Sequence, residues 1–347
     1  MKNYKLLLIF IIVFYSHIHA DIIFINNQTG SDENPGTKQK PLKTLLKAAE
    51  ITNNNSFKSG LIIRLSPGIY NLDQTLIFNN SRFSAKNRLI IEAEILPDDP
   101  NWHPDLMPII ISSQYPVQKT DYAKQTETYS IKIKNSYVTV QGLKFLGNPL
   151  LNNWHCCLER VGVNLEDLLV RQCMFIGAEN TLNVYCAALA TGDKFVLENN
   201  IFYHCDSAVV FWDGPGKVPG KDNALRNCII YGSKMAAVWT CQTSYDFDFR
   251  NNIVSNCEYF WLRQKGDIQR YRLYDSIITG NRFYSGYGLE TGPTGVSGKE
   301  VSFEEKDIVK DGILLLDMDK LAKSYLHPKQ GTFGSDIKAG LCAKEKL

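Results

Sequence analysis

The sequence predicts an all-β solenoid, a right-handed parallel β-helix, and three observations predict it. Five segments repeat in register: LLVRQCMFIG from Leu168, FVLENNIFYHC from Phe195, ALRNCIIYG from Ala224, FDFRNNIVSNC from Phe247 and YRLYDSIITGN from Tyr271. A looser sixth, VTVQGLKFLG, starts at Val138. Self-similarity at a period of roughly 20 to 50 residues marks a stacked array. Within each segment apolar residues alternate with polar ones, the period of a strand with one buried face. Asparagine also recurs at one place in the repeat, as a tight turn with a left-handed backbone requires.

Val140, Val170, Leu197, Leu225, Phe249 and Leu273 form one expected column, at steps of 30, 27, 28, 24 and 24 residues. Two residues earlier stand Val138, Leu168, Phe195, Asn223, Phe247 and Tyr271; five residues later stand Phe145, Phe175, Phe202, Ile230, Val254 and Ile278. A coil of this length suits three short strands and three turns. Parallel stacking about 4.8 Å apart lets like residues of successive coils bury one another, a core that no single repeat closes alone. The turn position holds Gly142, Gln172, Asn199, Asn227, Asn251 and Asp275. The next holds Leu143, Cys173, Asn200, Cys228, Asn252 and Ser276. An antiparallel sandwich is the competing architecture, and sandwich repeats do not keep residue identity in register.

Leu42, Leu45, Leu46 and Ala49 share one helical face behind Pro41. A short amphipathic helix there is expected to cover the open end of the stack. Residues 21–300 are assigned to the β-helix. Residues 301–347 leave the repeat and are expected to form an irregular C-terminal cap, with a short helix over 317–326.

The 347 residues carry a net charge of +2, 38 basic against 36 acidic. Lys2 and Lys5 precede an unbroken apolar run from Leu6 to Tyr15, and Ala20 suits a cleavage site. Residues 1–20 therefore read as a secretory signal peptide, its apolar run too short to span a bilayer. Without Lys2 and Lys5 the charges balance, which leaves no electrostatic footprint for nucleic acid or anionic lipid. The expected protein is secreted or periplasmic, monomeric, without a nucleic-acid partner and without a membrane span after signal cleavage. Nine cysteines, an odd number, leave at least one thiol unpaired within a chain. None stands in a CxxC or zinc spacing, and most read as small buried apolar residues.

The chain resembles a known group, the right-handed parallel β-helix proteins of the pectate-lyase type. The resemblance rests on GSDENPGT at 30–37, then Pro41, Thr44-Leu45 and Ala48, and SGLIIRLSPGIY at 59–70. It implies that this stretch makes a first strand, a capping helix and the first coil. It also implies that substrate lies along the sheet that follows the Asn-flanked strand pair. The matching stretches are CCLER at Cys156, NVYCAAL at Asn183, AVVFWDG at Ala208, AAVWTCQ at Ala236, YFWLRQKGD at Tyr259 and YGLETG at Tyr287.

Trp261, Arg263, Lys265 and Asp267 share one parity and are expected to face outward together. Trp212 and Asp213 hold the comparable place two coils away, and Trp239 lies between them with its direction left open. Trp212, Trp239 and Trp261 are the candidate sugar platforms. Lys265 is the candidate base, Arg263 the clamp for a substrate carboxylate, and His204 a lesser base. Asp213 and Asp206 are candidate Ca²⁺ ligands. These roles suit β-elimination on an acidic, uronate-containing polysaccharide, where a proton is removed beside a neutralised carboxylate. No dense carboxylate cluster accompanies the two aspartates, and no close carboxylate pair for a hydrolase is visible. A non-catalytic carbohydrate-binding β-helix is the alternative, with a hydrolase, epimerase or esterase on the same scaffold behind it; fold does not decide among them. A one-residue slip in the alignment would reverse each of these side chains. Asp222, Arg226, Asp246, Asp248, Arg250, Arg270 and Arg272 are assigned instead to a surface ion-pair ladder. No GxSxG, HExxH, phosphate-loop or GxGxxG motif occurs in its required context.

Overall fold

The computed structural model describes residues 20–115, 126–150, 153–178, 181–212, 220–241, 247–264, 270–289, 292–293 and 302–341. Residues 1–19 of the expected signal peptide, Asp213, Asp246, Lys265 and Asp267 lie outside the described residues.

Each coil runs through three short strands. The first face carries strands such as Glu166–Arg171 and Asp193–Glu198, the second Met174–Ile176 and Ile201–Tyr203, the third Cys186–Thr191 and Ser207–Trp212. Every one of these pairs in parallel with its counterpart in the next coil. The expected columns are the observed ones. Val140, Val170, Leu197, Leu225, Phe249 and Leu273 stand register to register through the first face. Phe145, Phe175, Phe202, Ile230, Val254 and Ile278 do so through the second. Phe175 stacks between Phe145 and Phe202 at centroid distances of 4.8 and 5.0 Å, the spacing that parallel strands impose.

The six turn residues between the first two faces all adopt positive φ: 73° at Gly142, 53° at Gln172, 57° at Asn199, 54° at Asn227, 53° at Asn251 and 47° at Asp275. Behind them runs an internal ladder. Asn200 Oδ1 accepts from the Cys173 amide at 2.9 Å, Asn252 Oδ1 from the Cys228 amide at 2.9 Å, and Ser276 Oγ from the Asn252 amide at 3.0 Å. Buried backbone donors at the corner are thus satisfied from the adjacent coil, as burial demands.

The ends differ in detail from expectation. The helix is Leu45–Asn54, capped by Thr44, whose side chain accepts from the Lys47 amide. It buries Leu45, Ala48, Ala49 and Thr52, while Leu46 is 45% exposed and Leu42 belongs to a bridge with Ile25. The helix starts later than Pro41 because Asp32 of the GSDENPGT segment holds its start. The Asp32 carboxylate accepts from the Lys43 and Thr44 amides and from the Thr44 hydroxyl. At the other end the stack continues past residue 300, since Phe303–Val309 pairs in parallel with Tyr271–Thr279. Residues 317–326 form turns rather than a helix. The chain then doubles back along the flank. Leu314, Tyr325, Leu326 and Leu341 cover the outer column Met174, Ile201, Ile229, Ile253 and Ile277 of the second face. On the first face, Arg226 meets Asp248 at 3.5 Å and Arg250 meets Asp248 at 2.7 Å, part of the expected charge ladder. Arg270 and Arg272 pair with Glu304 instead, each at 3.2 Å.

Candidate functional site

The third face has a corner that strict alternation does not foresee. In each coil the ladder skips one position, at Cys157, Ala187, Ala208, Ala237 and Phe260. That residue and the next both lie in the core, as with Ala208 and Val209, Ala237 and Val238, and Phe260 and Trp261. The residue after, Val210, Trp239 or Leu262, belongs to a separate cluster on the outer surface. Two consecutive inward residues reverse the parity along the strand.

This corner overturns part of the expected groove. Trp261 is an interior residue, 0% exposed, packed against Phe247, Phe249, Phe260 and Tyr271, with Nε1 donating to Thr240 Oγ1 at 2.9 Å. Arg263 stands in register with Thr240 and Phe211 and is 7% exposed, so it is no open carboxylate clamp. Trp239 points away from the core but is 6% exposed, its ring meeting that of half-buried Trp212 edge to face at 5.8 Å.

His204 and Asp206 lie elsewhere. His204 occupies a left-handed turn position, φ 52°, edge-on to Tyr203 at 4.2 Å and near Tyr231 at 6.0 Å. Both tyrosines pack on the flank covered by the C-terminal segment, so His204 is no base on the third face. Asp206 precedes Ser207–Trp212 and pairs with Lys234 at 3.8 Å; burial raises its carboxyl pKa. Its expected partner Asp213 lies outside the described residues. Among the described residues no three His, Cys, Asp or Glu side chains gather where they could hold a metal ion.

The outer side of the third face gathers titratable groups at Thr126–Ile133 and Asn153–Arg160. Lys132 and Glu159 are register partners, with Nζ 3.1 Å from Glu159 Oε2. The same ammonium stands 3.4 Å from the centroid of the Tyr129 ring. The Tyr129 hydroxyl donates to Glu127 Oε2 at 2.8 Å. A cavity of about 220 Å³ opens among Lys132, Ile133, Lys134, Glu159 and Val161. Burial raises the Glu159 carboxyl pKa, while the Lys132 charge pulls it down. Burial, then the charges of Glu159 and Glu127, push the Tyr129 hydroxyl far above the usual phenol range. Beyond this cluster the outer surface is aromatic: Trp154 against Tyr185 at 4.2 Å, the Trp212–Trp239 pair, and Tyr259 stacked on Phe283 at 4.9 Å.

Alternation hides this cluster in YSIKIK. It assigns Tyr129 to the side of Ile131 and Ile133, opposite Lys132. The corner, with Ser130 and Ile131 both buried, brings Tyr129 and Lys132 to one side.

The chain's fold has solved counterparts. Pectate lyase Pel9A superposes with a TM-score of 0.52 at 13% identity, over 94% of this chain and 96% of that one. A GH136 lacto-N-biosidase from Eubacterium ramulus gives a TM-score of 0.52 at 8% identity, over 84% of this chain and 68% of that one. The chain is a right-handed parallel β-helix of the pectate-lyase fold. No protein-family model matches the chain, and no curated protein matches it. At such identities the two structures establish the β-helix and leave its chemistry to its own side chains.

Proposed function

We propose that this β-helix acts on an acidic, uronate-containing polysaccharide laid along the outer side of its third face, outside the cell. The carrying observation is the Lys132–Glu159 pair, set beside Tyr129 in a cavity that Lys134 also lines. The cluster holds what such a substrate demands. Two ammonium groups face the position where a sugar carboxylate would be neutralised. A carboxyl group of raised pKa keeps its proton to higher pH and is a stronger base once ionised. The half-buried Tyr129 ring lies under the Lys132 ammonium and holds it in place. Among the described residues no helix is long and apolar enough to cross a membrane.

The test is incubation with pectate, alginate and glycosaminoglycans, with and without Ca²⁺, following both unsaturated uronate absorbance and new reducing ends. Unsaturated product assigns elimination, and saturated ends assign hydrolysis. Glu159→Gln and Lys132→Ala are expected to abolish release, and full activity in both would remove the cluster from the mechanism. Lys265→Ala, run in parallel, tests the base inferred from the sequence.

A second reading is favoured by a separate observation. The half-buried rings of Trp154, Tyr185 and Trp212 lie on the same outer side and suit a protein that holds sugar without cleaving it. Retention in affinity gels containing these polymers, with no product released, would select that reading.

A further inference from the structure

Eight cysteines lie among the described residues, all buried thiols. The register sorts them. Cys173 and Cys228 occupy one column, but Asn200 stands between them. Cys205 and Cys257 occupy another, three residues after Phe202 and Val254, with Ser233 in the intervening coil. Members of these pairs are two coils apart, about 10 Å, beyond the span of roughly 7 Å that a disulfide tolerates between Cα atoms. Cys157 points inward beside Ala187 of the next coil.

Cys156 and Cys186 differ from all of these. They are direct register partners on neighbouring coils. Strand spacing of about 4.8 Å lies inside the disulfide window. Both are buried in the outer cluster of the third face, where the Cys156 thiol donates to Leu158 O at 3.6 Å. The next residue in the column is Ser207, so the cysteines end as a pair. Trp154, two residues before Cys156, and Tyr185, one residue before Cys186, meet at a centroid distance of 4.2 Å. Cys156 is also the register partner of Tyr129. A covalent link here would fix the two strands beside the titratable cluster.

We propose that Cys156 and Cys186 are a redox cross-linking site, closed to a disulfide between neighbouring coils when the chain folds in an oxidising thiol buffer. One thiolate attacks oxidised glutathione, breaking its S–S bond and releasing one reduced glutathione. The second thiolate then displaces the bound glutathione, forming the Cys156–Cys186 bond and releasing another. The protein loses two protons and two electrons, and the glutathione disulfide gains them. The loop closed spans 30 residues between partners that stacking already aligns, so the link removes freedom mainly from the unfolded chain. This inference stands on the register and is independent of the proposed substrate.

The full chain would be refolded from the reduced state in mixed oxidised and reduced glutathione, then alkylated and mapped as peptides without reduction. The expected result is one cross-linked peptide pair containing Cys156 and Cys186, absent after reductant. Cys186→Ser, which copies Ser207 of the next coil, is expected to fold and to leave Cys156 alkylated or carrying a single glutathione. Two alkylated thiols at 156 and 186 in the folded wild-type chain would overturn the proposal. A link from Cys156 to any other cysteine would overturn it equally.

Discussion

Lys132 and Glu159, 27 residues apart in sequence, meet at 3.1 Å because successive coils stack in register. The pair holds an acid and a base in one spot of low exposure. In Lys132→Ala the carboxyl group keeps its burial and loses the nearby cation, so its pKa rises further. In whichever activity the polymer assay detects, the acid limb of the pH–rate profile is expected to move to higher pH. An unmoved limb would show that Glu159 is not the titrating group.

His155 carries a second pH signature, this time in stability. It is fully buried; Nδ1 lies 2.9 Å from Thr128 Oγ1 and Nε2 lies 3.1 Å from Ser130 Oγ. Burial lowers its pKa from 6.5 to about 3. The folded state keeps the ring neutral while the unfolded chain takes up a proton between pH 6.5 and 3. Stability is therefore expected to fall with acidification through that window, by about 1.4 kcal/mol per pH unit from this group. Denaturant titrations at several pH values measure the slope, and His155→Gln is expected to flatten it.

Two tryptophans two coils apart separate stability from binding. Trp261→Ala removes an enclosed ring and is expected to cost about 3 to 5 kcal/mol of stability. Trp212→Ala trims a half-buried outer ring. It is expected to weaken polysaccharide retention with little change in melting temperature. A binding loss in Trp261→Phe that exceeds its unfolding would restore Trp261 to the sugar surface.

The Asn252 side chain ties its coil to the preceding one. Its Oδ1 accepts from the Cys228 amide at 2.9 Å, and its Nδ2 donates to Leu225 O at 2.7 Å. Asn252→Ala strands two buried backbone groups and is expected to destabilise the chain by about 2 to 4 kcal/mol. Chemical denaturation at constant m-value checks it.

Removing residues 314–341 would uncover the apolar column Met174, Ile201, Ile229, Ile253 and Ile277. Truncation after Val309 is expected to bind a hydrophobic dye and to aggregate on concentration, read by fluorescence and light scattering.

The repeat in the sequence determined the columns, the left-handed turns and the existence of a third strand in each coil. Those features depend on which residue recurs at a fixed offset, and in-register stacking converts an offset directly into contact. Phe175 on Phe202 and Asn251 at its turn are legible for that reason. Side-chain direction on the third face required the tertiary structure. The corner at Cys157, Ala187, Ala208, Ala237 and Phe260 adds one inward residue per coil, and the residues there, mostly small, leave no mark in an alternating pattern. That single step sends Trp261 and Arg263 inward, turns Trp239 outward and joins Tyr129 to Lys132. Side-chain direction reverses with each residue of an extended chain, so only the observed path of the backbone decides which face a group serves.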